Sequence, residues 1–348
     1  MRTRMTVKVM AAGAAAAVAL TGCGGADGGS GGGGGEGGAE VTVVTGVYPL
    51  QWLAEQVGGD RTAVTNLTEP GMEPHDLELT GRQTGEVADA DVVFYVNGLQ
   101  PAVDDAVAEV ASEGTALDVA DLVELRPNDP GEEEHAEEGH EGGHDHGDEH
   151  AHEGGEHGEE GHEEEHAEGD GHDHGELDPH MWLDTDRMAE TADGLADRLA
   201  EADPDGADAY RANAEKVRGE LEEIGSAYDE GLAECDSREL VVNHAAFGYL
   251  ADAHDLEQIG ISGLDPETEP SPARIAEVAD LVEEHDVSTV FTETLVSPAV
   301  AETIADEAGA ETAVLDPIEG ITDDSPGDDY PSVMRANLET LRSGLSCS

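Results

Sequence analysis

Short apolar runs rich in Val, Ile, Leu and Thr alternate along this chain with longer stretches whose apolar residues recur at helical spacing. Runs of that length and composition predict strands, and the amphipathic stretches between them predict helices. Four strands are predicted in the first half of the chain, at residues 41–47, 62–67, 91–97 and 116–119. Four more are predicted in the second half, at 239–243, 256–261, 288–292 and 313–315. Strands separated by helices argue for parallel sheets flanked by helices. The pattern therefore predicts an α/β protein of two lobes, each with a four-stranded, mainly parallel sheet. Between the lobes, Tyr210, Ala214, Val217, Leu221, Ile224 and Tyr228 form one stripe at alternating spacings of four and three. That stripe marks a long helix over about residues 205–233, begun after the break Asp203-Pro204-Asp205-Gly206. Roughly seven turns at ~1.5 Å per residue would span about 40 Å, enough for a stiff strut joining the lobes.

One segment fits neither period. Residues 131–176 hold eleven histidines (His135, His140, His144, His146, His150, His152, His157, His162, His166, His172 and His174), twenty acidic residues and no Lys or Arg. Nothing in it can build a core. Neutral imidazole is the commonest ligand for divalent transition metals, and carboxylates add charge and oxygen donors. Such a tract is read as a flexible, low-affinity collector of metal ions.

The N-terminus adds an address. Arg2, Arg4 and Lys8 precede a short apolar run over residues 9–20, too short for the roughly twenty residues of a spanning helix. Leu20-Thr21-Gly22-Cys23 follows, resembling a bacterial lipobox in which Cys23 is lipidated, and then an almost pure glycine tether. These features predict a signal peptide (1–22), a tether (23–40) and a lipoprotein held on the outer face of the cell membrane. The remaining pair, Cys235 and Cys347, would form a disulfide outside the cytoplasm and pin the C-terminus, with metal ligation by the pair as the weaker alternative. A formal charge of −67 excludes nucleic acid as a partner. With aromatics at only 3%, that charge also resembles adaptation to high salt. The domain plan is then an N-terminal lobe (41–184) carrying the insert, a helical region (185–233) and a C-terminal lobe (234–348).

Five histidines lie outside the tract. His75 follows a predicted strand in GMEPHD, His244 follows another in NHAAFGY, and His180 sits in LDPHMWLD where the tract ends. Ligands bind at the carboxyl ends of strands in open parallel sheets. Asp316, in LDP after the last predicted strand, is a fourth candidate. Three imidazoles and a carboxylate suit four-coordinate Zn²⁺. His254 and His285 have no such neighbours and are read as ordinary histidines.

The motifs GMEPHDLEL, DPHMWLD, VVNHAAFGYLA, VFTETLVSPAVAE and VLDPIEG, with the His-rich insert, resemble the zinc-binding solute receptors of bacterial ABC transporters. That cluster also contains manganese receptors and metal-binding adhesins. The resemblance covers the chain from Val41 onward. It implies two α/β lobes joined by a rigid helix, with the metal bound in the cleft between them. It places the ligands on His75, His180 and His244, with Asp316, water or Glu73 as the fourth. Imidazole at His244, where manganese receptors tend to carry glutamate, favours zinc. Glu293, after the strand at 288–292, is a candidate support for a ligand histidine. The implied partners are a membrane permease and its cytoplasmic ATPase. The alternatives are a Mn²⁺ or Fe²⁺ receptor on the same scaffold and, remotely, a zinc hydrolase, for which the chain lacks an evident general base.

Overall fold

The computed structural model describes residues 39–112, 114–128 and 177–348. The His-rich tract, the signal peptide with Cys23 and nearly all of the tether lie outside these residues. Within them, all eight predicted strands are present in two sheets. β1 (Val41–Thr45), β2 (Thr62–Asn66), β3 (Val92–Tyr95) and β4 (Ala116–Asp118) form a parallel sheet in the order β2-β1-β3-β4. β5 (Glu239–Val242), β6 (Glu257–Gly260), β7 (Thr289–Thr292) and β8 (Glu311–Val314) form a second in the order β6-β5-β7-β8. The two orders are the same, so the chain builds one topology twice. β8 begins two residues before its predicted start, because pairing of Thr289 with Glu311 extends it beyond its apolar residues.

Helices cover both sheets. Those around the first are α1 (Tyr48–Gly58), α2 (Gly81–Asp89) and α3 (Pro101–Val110); those around the second are α6 (Gly248–Ala253), α7 (Pro272–Glu284), α8 (Ala299–Ala308) and α9 (Tyr330–Gly344). Between them run α4 (Thr185–Ala202) and α5 (Ala207–Gly231). Asp184 starts α4 by accepting hydrogen bonds from the backbone N–H groups of Asp186 and Arg187, which satisfies donors that a helix start leaves open.

α5 matches the long helix expected from its apolar stripe, and all six stripe residues are buried. The helix is more than a strut between lobes. It packs along α4, against α1 of the first half and against α9 of the second. The Asn213 amide donates to the Val57 carbonyl (3.0 Å), and the Tyr228 hydroxyl donates to the Met334 carbonyl (2.7 Å). A single apolar core runs through both halves, joining Val43, Leu53 and Phe94 to Val242, Phe291 and Leu315 through Trp182, Tyr210 and Tyr330. The outer face of each sheet has its own smaller cluster, Val44 and Val93 under α2 and α3, and Val241 and Val290 under α7 and α8.

Cys235 and Cys347 are joined in a disulfide across 112 residues of sequence. The bond fastens the end of α9 to the segment entering β5. Constraining so long a loop in the unfolded chain contributes roughly 2–4 kcal/mol. Replacing both cysteines by serine is therefore expected to lower the unfolding free energy by about that amount. Denaturant unfolding of the variant beside the parent checks it.

Candidate metal centre

The carboxyl ends of the two sheets bring together residues far apart in the chain. His75 lies in the loop leaving β2, His244 lies two residues past the end of β5, and Glu319 lies in the loop leaving β8. His180 precedes a short 3-10 turn (Met181–Leu183) that leads into α4. The loop carrying His75 is held by Gln100, whose amide donates to the Pro74 carbonyl (3.0 Å) and to the Thr68 hydroxyl (2.9 Å). Gly46, at the end of β1, leaves the space that Gln100 occupies; a Cβ there would collide with the amide oxygen.

Glu319 is the hub. Its Oε1 lies 3.3 Å from Nε2 of His75, 3.2 Å from Nε2 of His180 and 3.3 Å from Nε2 of His244. The Nε2 atoms of His75 and His180 are themselves 3.3 Å apart. All four donor groups are buried and offer atoms within 4.8 Å of one another. Zinc–ligand bonds of about 2.0–2.1 Å in a tetrahedron require donor–donor edges of roughly 3.3 Å. Four observed separations already have that length. Glu319 Oε2 is buried without a hydrogen-bond partner, the condition of a group built to face a cation.

Carboxylates behind the imidazoles aim them. Asp178 Oδ1 accepts from the backbone N–H of His180 (3.0 Å) and lies 2.9 Å from its Nδ1. Glu293 accepts from the backbone N–H of His244 (3.0 Å), and its two oxygens lie 2.7 and 2.8 Å from Nδ1. With Nδ1 hydrogen-bonded to a carboxylate, Nε2 is the nitrogen left for a ligand bond, an arrangement that also raises ligand basicity. Glu293, the candidate support for a ligand histidine, stands behind His244.

Burial and charge oppose each other here. Burial favours the neutral ring at His75 and pushes its pKa down. Burial pulls the same way at His180 and His244, but the carboxylates outweigh it. Asp178 and Glu319 raise His180, and Glu293 with Glu319 raise His244 well above the ordinary value. Burial would raise Glu319, yet the charge of His244 and hydrogen bonds from the three histidines hold it well below the usual carboxylate range. Burial, then the nearby Glu319 charge, pushes Glu73 up to about 9. Its Oε1 accepts from the His75 backbone N–H (3.1 Å). Glu73 is not one of the four converging donors.

Asp316 does not join the group either. Its Oδ1 accepts from the Ile318 N–H (2.8 Å), its Oδ2 from the Thr294 hydroxyl (3.4 Å), and its backbone pairs with the Asn337 amide on both sides. Aspartate hydrogen-bonding two residues onward is a turn-forming role. Ile318 takes φ 63°, costly for a β-branched residue, and that left-handed step sends Glu319 back towards the histidines. Glu319 occupies the position expected of Asp316. The same VLDPIEG motif contained it, three residues on and flanked by glycine, but proximity to the strand favoured Asp316. His254 and His285 lie elsewhere, paired with Asp229 (3.2 Å) and Glu239 (3.0 Å).

Three imidazoles and one carboxylate close on one point between two α/β halves, a donor set that fits a divalent metal ion. Residues 43–344 match the family described as zinc-uptake complex component A, periplasmic, and the chain belongs to that family. It is 32% identical over 314 residues to the zinc-binding lipoprotein AdcA of Streptococcus pneumoniae, covering 87% of this chain and 55% of the relative. The chain thus spans about half the length of the streptococcal curated relatives it matches. It is 30% identical to the high-affinity zinc uptake system protein ZnuA of Bacillus subtilis, covering 87% of each. Among solved structures, the Zn(II)-bound ZnuA-like domain of S. pneumoniae AdcA matches at TM-score 0.66 and 28% identity over 88% of this chain and 98% of that one. The laminin-binding protein of Streptococcus agalactiae, described as having adhesin and metal-transporting activity, matches at TM-score 0.69 and 27% identity over 88% and 99%.

Asp316→Ala leaves the buried Ile318 N–H without its acceptor, so it is expected to cost about 1–3 kcal/mol of stability. Denaturant unfolding of the metal-free variant measures this, and a stability equal to the parent's would contradict the turn-holding role.

Proposed function

We propose that this chain is an extracytoplasmic receptor that captures one Zn²⁺ with His75, His180, His244 and Glu319 and delivers it to an ABC permease driven by a cytoplasmic ATPase. The observation that carries the reading is the single carboxylate oxygen of Glu319 standing 3.2–3.3 Å from three imidazole nitrogens. Imidazole-rich donation favours zinc over the harder Mn²⁺, which suits carboxylate and water. Four protein donors close the coordination sphere, whereas a catalytic zinc keeps an open position for water or substrate. The reading is therefore of cargo held for transfer, with no enzymatic step. The names of the relatives support zinc uptake, and the lipobox-like Cys23 supports a lipid anchor on the outer face of the membrane. The tract over residues 131–176 serves as a weaker auxiliary collector, and the adhesin role of the S. agalactiae protein is not carried over.

Two outcomes test this. Calorimetric titration of the full chain should show one tight Zn²⁺ that survives deletion of residues 132–176. Glu319→Gln or His244→Ala should weaken that event more than Glu293→Gln, which acts through His244 and is expected to cost about 10–100-fold. Loss of the tight event on deleting the tract, with Glu319→Gln harmless, would refute the assignment. Protons also compete with the metal. Carboxylates hold protons on His180 and His244 to a higher pH than a free imidazole does. Zinc must displace those protons, so apparent affinity should fall as pH is lowered, and binding at neutral pH should release protons. Titrations in buffers of different protonation enthalpy measure the release; a pH-independent affinity between about 5 and 7.5 would contradict it.

A further inference from the structure

The ligand-bearing segments of the two halves meet a second time, behind His180. Asp178, which holds His180 at backbone and ring, is 4% exposed and lies two residues past the His-rich tract in sequence. Its backbone N–H donates to the Arg126 carbonyl (2.9 Å). The fully buried Tyr249 hydroxyl accepts from the Arg126 backbone N–H (2.8 Å) and donates to the Asp178 carbonyl (2.6 Å). Tyr249 lies on α6, five residues beyond His244. The Arg126 guanidinium continues the link, reaching Asp252 of α6 (2.8 Å) and approaching Asp178 Oδ2 (3.7 Å). Arg126 and Arg187 flank the Tyr249 ring at 5.6 and 5.0 Å from its centre. Gly248 makes the approach feasible, since a Cβ there would collide with the Arg126 guanidinium and crowd Asp178 Oδ2.

We propose that Asp178, Arg126 and Tyr249 form a bridge that fixes His180 against His244 and sets how slowly the metal leaves, with Asp178 and Tyr249 as positioning residues. The inference rests on the zinc-receptor reading above. Magnitudes decide which part of the bridge matters. The Arg126–Asp252 pair is 29% and 61% exposed, and an ion pair so wet contributes little. The Tyr249 hydroxyl and the Asp178 carboxylate are buried, where an unsatisfied partner is costly. Removing either frees the backbone that carries His180 while leaving all four metal donors in place.

The test is zinc release from the loaded full chain into excess chelator, with the absorption spectrum of the Co²⁺-loaded protein as a probe of ligand geometry. Tyr249→Phe, which keeps the ring, and Asp178→Asn should each speed release by about tenfold and alter the Co²⁺ spectrum. Arg126→Gln should change release by less than about threefold. Tyr210→Phe is the control: it removes a buried hydroxyl bonded to Asp203 (2.9 Å), at the start of α5, and should leave both readouts unchanged. Tyr249→Phe decides the matter if Asp178→Asn does not fold. Release and spectrum matching the parent's in folded Tyr249→Phe would overturn the bridge while leaving the receptor reading intact. A parent chain that retains no zinc would overturn both.

Discussion

One buried carboxylate oxygen shared by three imidazoles is the constraint on which the rest of this structure depends. Polar groups this close and this dry are costly to bury unless charge balances them. Glu319, Asp178 and Glu293 are all at least nine-tenths buried around the three rings. Glu319 is held well below the usual carboxylate range by the rings around it, and a divalent cation among the rings would balance the same charge. The cost of assembling the cluster is thereby turned into affinity for the ion. It also explains why the rings are aimed from behind: without Asp178 and Glu293 either ring nitrogen could face inward.

Such a cluster needs a frame that does not relax away from it. The two sheets supply one because they are not independent bodies tethered by a helix. Their inner faces share one core, and Trp182, two residues past His180, donates from its indole to the Pro317 carbonyl in the loop that carries Glu319 (2.8 Å). Tyr330 holds the Trp182 carbonyl (2.6 Å) and stacks on Trp52 at 4.7 Å. The segments carrying His180 and Glu319 are therefore tied together by buried aromatic side chains. The bridge through Tyr249 adds a polar tie on the other side of His180.

The strands were legible because buried parallel strands are short β-branched runs, and α5 was legible because a helix lying on a shared core must repeat its apolar residues every three to four positions. The three histidines were legible for a similar reason. Each stands in a motif at the exit of a strand or the start of a helix, where backbone topology alone delivers side chains to one edge. Glu293 followed from the same rule. Asp316 shows where that rule ends. Adjacency to β8 placed its backbone correctly, but its side chain was needed to hold the turn, and the strained Ile318 handed the inward position to Glu319.

Taken alone, the amino-acid sequence determined the two-fold α/β plan and the long helix through local period, three of the four converging side chains through the ends of strands and helices, and the cysteine pair through the two cysteines left in an exported chain. Only the tertiary structure decided which carboxylate faces the imidazoles and which tie their carriers together. Those choices turn on a left-handed residue, a buried tyrosine hydroxyl and contacts between segments more than seventy residues apart. No local pattern encodes them, since they exist only once the two halves have closed around a common core.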